Sequence, residues 1–241
     1  MILFIIVKKR AVLFVVLILC AAAAALTAFG IWHRAEEPAQ PVFALPSANK
    51  VIVVDAGHGG FDAGASDNGL IEKDVNLNVA LFLREYIEQG GGIAVMTRTE
   101  DVSTAADDKS GKSAKQSDLI QRKNLVQTAQ ADIFVSIHMN KFPQPQYHGA
   151  QVFYSLAPDG SKKLGEAIQQ SLKDVLQDGN TRMAKKTDGG VFLLKDTSIP
   201  SVIVECGFLS NAQEAKLLGQ TDYQRKLAWG IYMGIIRYFN H

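Results

Sequence analysis

Two histidines and two glutamates stand at points where the chain changes character. His58 lies in the Gly-rich turn that follows the apolar run Val51–Val54, and Glu72 opens an amphipathic stretch. His138 closes the run Ile133–Ile137, and Glu205 directly follows Val202-Ile203-Val204. Two imidazoles and one carboxylate, with a coordination position left for water, make a catalytic zinc site; a structural zinc site is more often closed by four protein ligands rich in cysteine. His58, Glu72 and His138 are too far apart in sequence for the short H-E-x-x-H helix motif. A metal site built from them has to be assembled from separate strand and helix ends. Each residue also has a plainer role open to it. Glu72 suits the positive end of a helix, and His138 could be a satisfied core histidine. Glu205 is harder to explain by packing, because a carboxylate behind a buried apolar strand is costly unless it is paired or functional. Asn76 lies one helical turn after Glu72 and so on the same face. Asn140 is close enough to His138 to face the same cleft. Cys206 is most simply a small packing residue, and His148, in a Pro- and Gln-rich loop, a solvated one.

The elements that must hold these residues alternate. Val51–Val54 is a continuous aliphatic run, as in a strand buried on both faces. The glycines after Asp55 permit close backbone approach. They do not form a phosphate loop, since neither G-x-G-x-x-G nor G-K-[ST] is present. A helix is predicted over Glu72–Gln89, with Val75, Val79, Phe82, Leu83 and Tyr86 as its apolar stripe and Gly90-Gly91-Gly92 as its stop. A strand follows at Ile93–Thr97. Glu100–Lys115 reads as a polar surface loop, and Ser117 as the cap of a weaker helix to about Ala131. Further strands are predicted at Ile133–Ile137, Gln151–Tyr154, Val191–Leu194 and Ser201–Glu205. A helix is predicted over Ser161–Asp178, with Leu164, Ile168, Leu172, Val175 and Leu176 inward. Ser210-Asn211-Ala212-Gln213 matches a capping box. The last helix runs from Asp222 to Asn240, with Leu227, Ile231, Ile235 and Tyr238 inward, and Gly230 and Gly234 would let it lie close to the sheet. No internal repeat is visible. Alternating strands and helices predict one α/β domain.

The chain has 241 residues, is 47% hydrophobic and carries a formal net charge of +1. That is enough for one sizeable domain, and the charge balance is unlike that of a nucleic-acid binder. The two cysteines, Cys20 and Cys206, exclude a disulfide scaffold. Lys8-Lys9-Arg10 precede an uncharged stretch, Ala11–Trp32, long enough to cross a bilayer. The basic residues on its N-terminal side place the body outside the cytoplasmic membrane. A retained anchor is the favoured reading; a signal peptide cleaved within Ala21–Ala25 is the alternative. Leu19 is too large for a lipoprotein site at Cys20. The expected organisation is a membrane segment with its flanks at 1–37, a Pro-containing linker at 38–50 and a catalytic domain at 51–241.

Four segments, taken together and in order, resemble a known family. Asp55-Ala56-Gly57-His58-Gly59-Gly60, Glu72-Lys73-Asp74-Val75-Asn76-Leu77, Ser136-Ile137-His138-Met139-Asn140 and Val204–Asn211 are similar to the zinc-dependent N-acetylmuramoyl-L-alanine amidases of the bacterial cell wall. Thr97-Arg98, Leu119 with Arg122, and Pro200 fit as connecting pieces. The resemblance covers Val51 to the C-terminus. It implies a mixed, mostly parallel sheet of about six strands with helices on both faces. It implies zinc as cofactor, His58, Glu72 and His138 as its ligands, Glu205 as the catalytic glutamate, and Asn76 and Asn140 near the site or the substrate. The expected reaction is hydrolysis of the amide between N-acetylmuramic acid and L-alanine of peptidoglycan. Two alternatives stay open: a zinc peptidase cutting within the stem peptide, and a non-catalytic, membrane-anchored wall-binding protein. Val126-Gln127 departs from the family's usual Ala-Asn. Gly179–Gly190 is too short for the helix that plugs the site in some members. The compact, anchored form resembles the amidases that spore formers use on cortex peptidoglycan. The partners expected are peptidoglycan, the membrane through the N-terminal segment, and an activating or recruiting protein; no nucleic acid is expected.

Overall fold

The computed structural model describes residues 2–35, 45–105 and 113–240. It divides into two units, one N-terminal and one from Ala44 onward. The first is a single helix, α1 (Ile2–Ala35). Its segment Val12–Gly30 has a mean hydropathy of 2.8 and contains no buried side chains. By length and composition it can cross a membrane.

The second unit is built on a six-stranded sheet. Its strands are β1 (Val51–Ala56), β4 (Ile93–Met96), β5 (Ile133–Asn140), β6 (Gln151–Tyr154), β7 (Lys185–Lys186) and β8 (Ser201–Phe208). They run in the order β4-β1-β5-β8-β6-β7. β4, β1, β5 and β8 are mutually parallel, β6 is antiparallel to β8, and β7 is parallel to β6. A separate hairpin pairs β2 (Ser66–Asp67) with β3 (Leu70–Ile71). Its turn residues Asn68 and Gly69 both have positive φ, the conformation an Asn-Gly hairpin turn requires. The hairpin leads straight into α2 (Glu72–Gln89). The remaining helices are α3 (Ala114–Thr128), α4 (Gly160–Leu176), α5 (Ala212–Leu218) and α6 (Thr221–Phe239).

The continuous apolar runs of the central strands follow from burial on both faces. Ile52, Val54, Ile133, Val135 and Val204 pack under α2, α4 and α6. Their neighbours Val53, Phe134 and Ile203 turn to the other face, against α3 and Leu193-Leu194. This is the period-two alternation of a pleated strand, with helices covering both sides.

Several local expectations are corrected. The cap of α3 is Ser113, whose side chain accepts from Gln116 N, and Ser117 is buried inside the helix. The first turn of α3 is polar and exposed, so no hydrophobic period marked its start. Val191–Leu194 is not a strand; Phe192–Leu194 forms a single 3-10 turn that buries Leu193 and Leu194. Four apolar residues fit either form, since so short a run has no diagnostic period. The α5 cap is Asn211, accepting from Gln213 N and Glu214 N, rather than Ser210. Gly230 and Gly234 face α4, not the sheet. A Cβ on Gly234 would lie 2.4 Å from Ile168 Cα, so α6 approaches the α4 backbone itself. Phe82, Tyr86, Val175 and Tyr238 are only half-buried, whereas Ile87 belongs to the core. Of the expected linker, residues up to 44 lie outside the described ones. From residue 45 the chain is part of the α/β unit, with Ser47 fully buried. The middle of the Glu100–Lys115 loop, residues 106–112, also lies outside the described residues.

Candidate active site and metal centre

The parallel strands β1, β5 and β8 deliver their last residues to one end of the sheet, where open α/β sheets place ligands. Beyond Ala56 the chain turns sharply. Gly57 N donates to Ile137 O at 3.1 Å, and His58 takes the left-handed conformation at φ +61°. A side chain at position 57 is impossible without rearrangement, because a Cβ there would lie 2.4 Å from the His138 ring. Two arginines hold the turn from beneath. Arg98 Nε donates to Ala56 O at 2.9 Å and its Nη2 to Gly57 O at 3.1 Å. Arg122 Nη1 donates to Ala56 O at 2.8 Å and its Nη2 to His58 O at 2.7 Å.

Arg122 is anchored in turn by two carboxylates, Asp55 and Asp118, each at 2.6 Å. Asp55 is fully buried and also accepts from Thr97 Oγ1 at 2.8 Å and Ser136 Oγ at 2.5 Å. Burial would raise the pKa of Asp55, but Arg122 and then His138 and Ser136 outweigh it and hold the carboxyl below its ordinary range.

Over this base, His58, Glu72 and His138 come together, each offering a ligand atom within 4.8 Å of the others. Glu72 Oε1 lies 3.2 Å from His58 Nε2 and 3.0 Å from His138 Nδ1. The other donors around Glu72 are protein groups: Ala65 N to Oε2 at 2.7 Å, and Met139 N to Oε1 at 3.2 Å. Burial opposes the charge on Glu72, but the hydrogen bonds from His138 and His58 overcome it and keep the carboxyl ionised. Burial likewise disfavours charge on His138, and Glu72 with Glu205 reverses that, so the imidazole pKa is raised. The donor set fits a metal ion. Two imidazole nitrogens converge on one ionised carboxylate oxygen, and the second His58 nitrogen, Nδ1, is occupied by Asp62 Oδ2 at 2.9 Å. A carboxylate behind a ligating histidine is the usual arrangement for fixing its ring.

Glu205 stands opposite His138 in the β5–β8 ladder. Its Oε2 is buried and has no hydrogen-bond partner. Burial pushes its pKa up to about 7, with His138 pulling down and Glu72 pushing up. It is therefore an unpaired carboxylate beside the three converging residues but not among them. Asn76 is fully buried and its Nδ2 donates to Gly57 O at 3.1 Å and Glu72 Oε1 at 3.4 Å, supporting both the turn and the carboxylate. No hydrogen bond joins the Asn140 side chain to the three; it lines a neighbouring groove. Cys206 is buried and His148 exposed.

Asp62, Asp118 and Asp55 carry weight that spacing did not reveal. Asp62 lies four residues after His58 in a turn, so no regular period links them. Asp55 follows four aliphatics, and that buried position was the available signal.

The chain is similar to known proteins over most of its length. The family profile described as N-acetylmuramoyl-L-alanine amidase matches residues 52–237. The germination-specific N-acetylmuramoyl-L-alanine amidase of Bacillus subtilis (strain 168) is 40% identical over 198 residues, which is 82% of this chain and 83% of that protein. The N-acetylmuramoyl-L-alanine amidase LytC of the same organism is 33% identical, over 80% of this chain but 36% of its own length. Among solved structures, the CwlD amidase from Clostridioides difficile, in complex with the GerS lipoprotein, superposes with a TM-score of 0.76 at 45% identity. That match covers 80% of this chain and 99% of CwlD. With the profile spanning the sheet, its helices and all four site residues, the chain belongs to the N-acetylmuramoyl-L-alanine amidase family.

Proposed function

We propose that this amidase is zinc-dependent, is held at the outer face of the cytoplasmic membrane by α1, and acts on the peptidoglycan of the spore cortex. In this reading residues 1–37 form the membrane segment, a short linker follows it, and the catalytic domain is packed from residue 45 onward. His58 Nε2, Glu72 Oε1 and His138 Nδ1 would hold the zinc. When bound, zinc supplies acidification of a water molecule and polarisation of the scissile carbonyl.

The chain's own residues do the rest. Asp62 fixes the His58 ring through Nδ1, and Asn76 fixes the Glu72 carboxylate. Arg98 and Arg122 keep the Gly57–His58 turn in place by binding its carbonyls. Glu205 takes the proton of the attacking water and returns it to the leaving nitrogen of L-alanine, which is general base and then general acid catalysis. The observation that carries this assignment is the unpaired, buried Glu205 Oε2 beside His138. A carboxylate oxygen with no protein partner, placed beside the three converging residues, is free to accept a proton from a water held there.

The membrane reading is supported by the apolar span Val12–Gly30 and by Lys8-Lys9-Arg10 on its N-terminal side. The spore reading is supported by the relative named germination-specific and by the likeness to CwlD. CwlD was solved with the GerS lipoprotein, which supports an activating or recruiting protein partner here. The test is mass spectrometry of cortex peptidoglycan digested by the zinc-loaded protein. Glycan strands freed of stem peptides, with new L-alanine amino termini, are expected. New termini inside the stem peptide would mean a peptidase.

A further inference from the structure

A groove of about 270 Å³ opens beside the site, and Asn140 is on its wall. Its other walls are aromatic: Phe142, Tyr147 and Phe208, whose rings pack on one another. Its polar end is cationic. The Arg182 guanidinium lies 4.8 Å over the Phe208 ring and 6.0 Å from the Tyr147 ring. Its Nε donates to His148 O at 2.9 Å and its Nη1 to Gln151 Oε1 at 3.3 Å. Lys185 lines the same groove. Neither cation forms an ion pair with a described residue, and Arg182 Nη2 donates to none. An arginine placed over an aromatic ring and held by two hydrogen bonds, with its Nη2 left over, is prepared for an incoming carboxylate.

Position relates this groove to the chemistry. His138 on β5, Glu205 on β8 and Gln151 on β6 lie in one row across the sheet. Two strand spacings separate His138 from Gln151, about 10 Å, and Gln151 touches Arg182. An extended peptide advances about 3.5 Å per residue. A stem peptide leaving the scissile amide along this row would bring its second or third residue to Arg182.

We propose that the Arg182 groove is the subsite for a free carboxylate of the stem peptide, borne on the second residue beyond the scissile amide, with the aromatic walls covering the backbone between them. The proposal rests on the amidase reading above. The charge complementarity is direct: a half-buried guanidinium without an acidic partner stands next to the site of a carboxylate-bearing substrate.

The experiment is calorimetry on the full-length protein in detergent with L-alanyl-γ-D-glutamyl-L-lysine amidated at its C-terminus, which leaves the glutamyl α-carboxyl as the single carboxylate. The comparison ligand carries a carboxamide at that position. The acid is expected to bind about tenfold more tightly than the amide, the scale of one charge-assisted hydrogen bond at a partly exposed site. Arg182→Gln should abolish that preference, and Lys185→Gln should reduce it less. Equal affinity of acid and amide for the wild type would overturn the proposal, as would a preference that survives Arg182→Gln. The wild-type comparison decides the matter even where the variant fails to fold. Cleavage of a muropeptide is assayed separately. Preference without cleavage would keep the subsite and remove the reaction, and cleavage without preference would do the reverse.

Discussion

Arg122 lies 2.6 Å from the fully buried Asp55 carboxylate, and through the same guanidinium it holds the His58 carbonyl at 2.7 Å. Removing one partner of such a pair leaves an uncompensated buried charge, at a cost of about 3–5 kcal/mol. Because Arg122 also binds Ala56 O and His58 O, its loss releases the turn that carries His58.

The same network sets the acid limit of stability. Asp55 and Asp118 both have folded-state pKa values below the ordinary 3.8, held there against burial chiefly by Arg122. A depressed carboxyl contributes stability that is complete above its unfolded pKa and is lost as the pH falls through the folded value. Urea midpoints should therefore be insensitive to pH near neutrality and fall steeply below about pH 4. Asp55→Asn should be destabilised at neutral pH and show a shallower acid decline than the wild type. An identical acid decline in both would show that Asp55 is not the titrating group.

Asp62 is expected to tune metal affinity without touching the metal. Its Oδ2 sits 2.9 Å from His58 Nδ1. Asp62→Asn should weaken zinc binding about 10–100-fold, measured by competition with a chromogenic chelator. The fold, read by circular dichroism, should be retained. Unchanged affinity would make this contact a surface ion pair, one that Lys115 shares at 3.2 Å.

The packing of α6 on α4 gives a graded prediction. Gly234→Ala would set a Cβ 2.4 Å from Ile168 Cα, where backbone cannot yield, whereas Gly230→Ala meets first the flexible Leu172 Cδ2 at 3.0 Å. Overpacking against backbone costs about 1–3 kcal/mol, and alanine recovers up to about 1 kcal/mol of helix propensity. Gly234→Ala should destabilise by roughly 1–2 kcal/mol and Gly230→Ala by far less. Urea unfolding of the two variants side by side checks the order.

Much of this architecture was legible because the signals are redundant. α2 is bounded at both ends by its apolar stripe and the triple glycine. His58, Glu72 and His138 converge because each stands at an element end, and parallel strands bring such ends together. What could not be read were contacts without a period. Asp62 reaches back to His58 across an irregular turn. Arg182 joins the groove from a loop before a two-residue strand. Val191–Leu194 was misread because apolarity in four residues does not choose between a strand and a 3-10 turn. The placement of Gly234 against α4 rather than the sheet depends on which helix lies next to α6, and that is a tertiary fact.

The central claim is that Glu205 moves the proton while His58, Glu72 and His138 hold the metal. The most direct measurement is zinc content and turnover on the same preparations of Glu205→Gln and Glu72→Gln. Glutamine keeps the shape of glutamate but cannot take up the proton, so Glu205→Gln should retain about one zinc per chain and lose roughly 10²–10⁴-fold in turnover. Glu72→Gln, with a neutral amide in place of the anionic ligand, should bind zinc more weakly. Near wild-type turnover in Glu205→Gln would contradict the account, and loss of zinc from Glu205→Gln with retention in Glu72→Gln would show ligand and base to be exchanged.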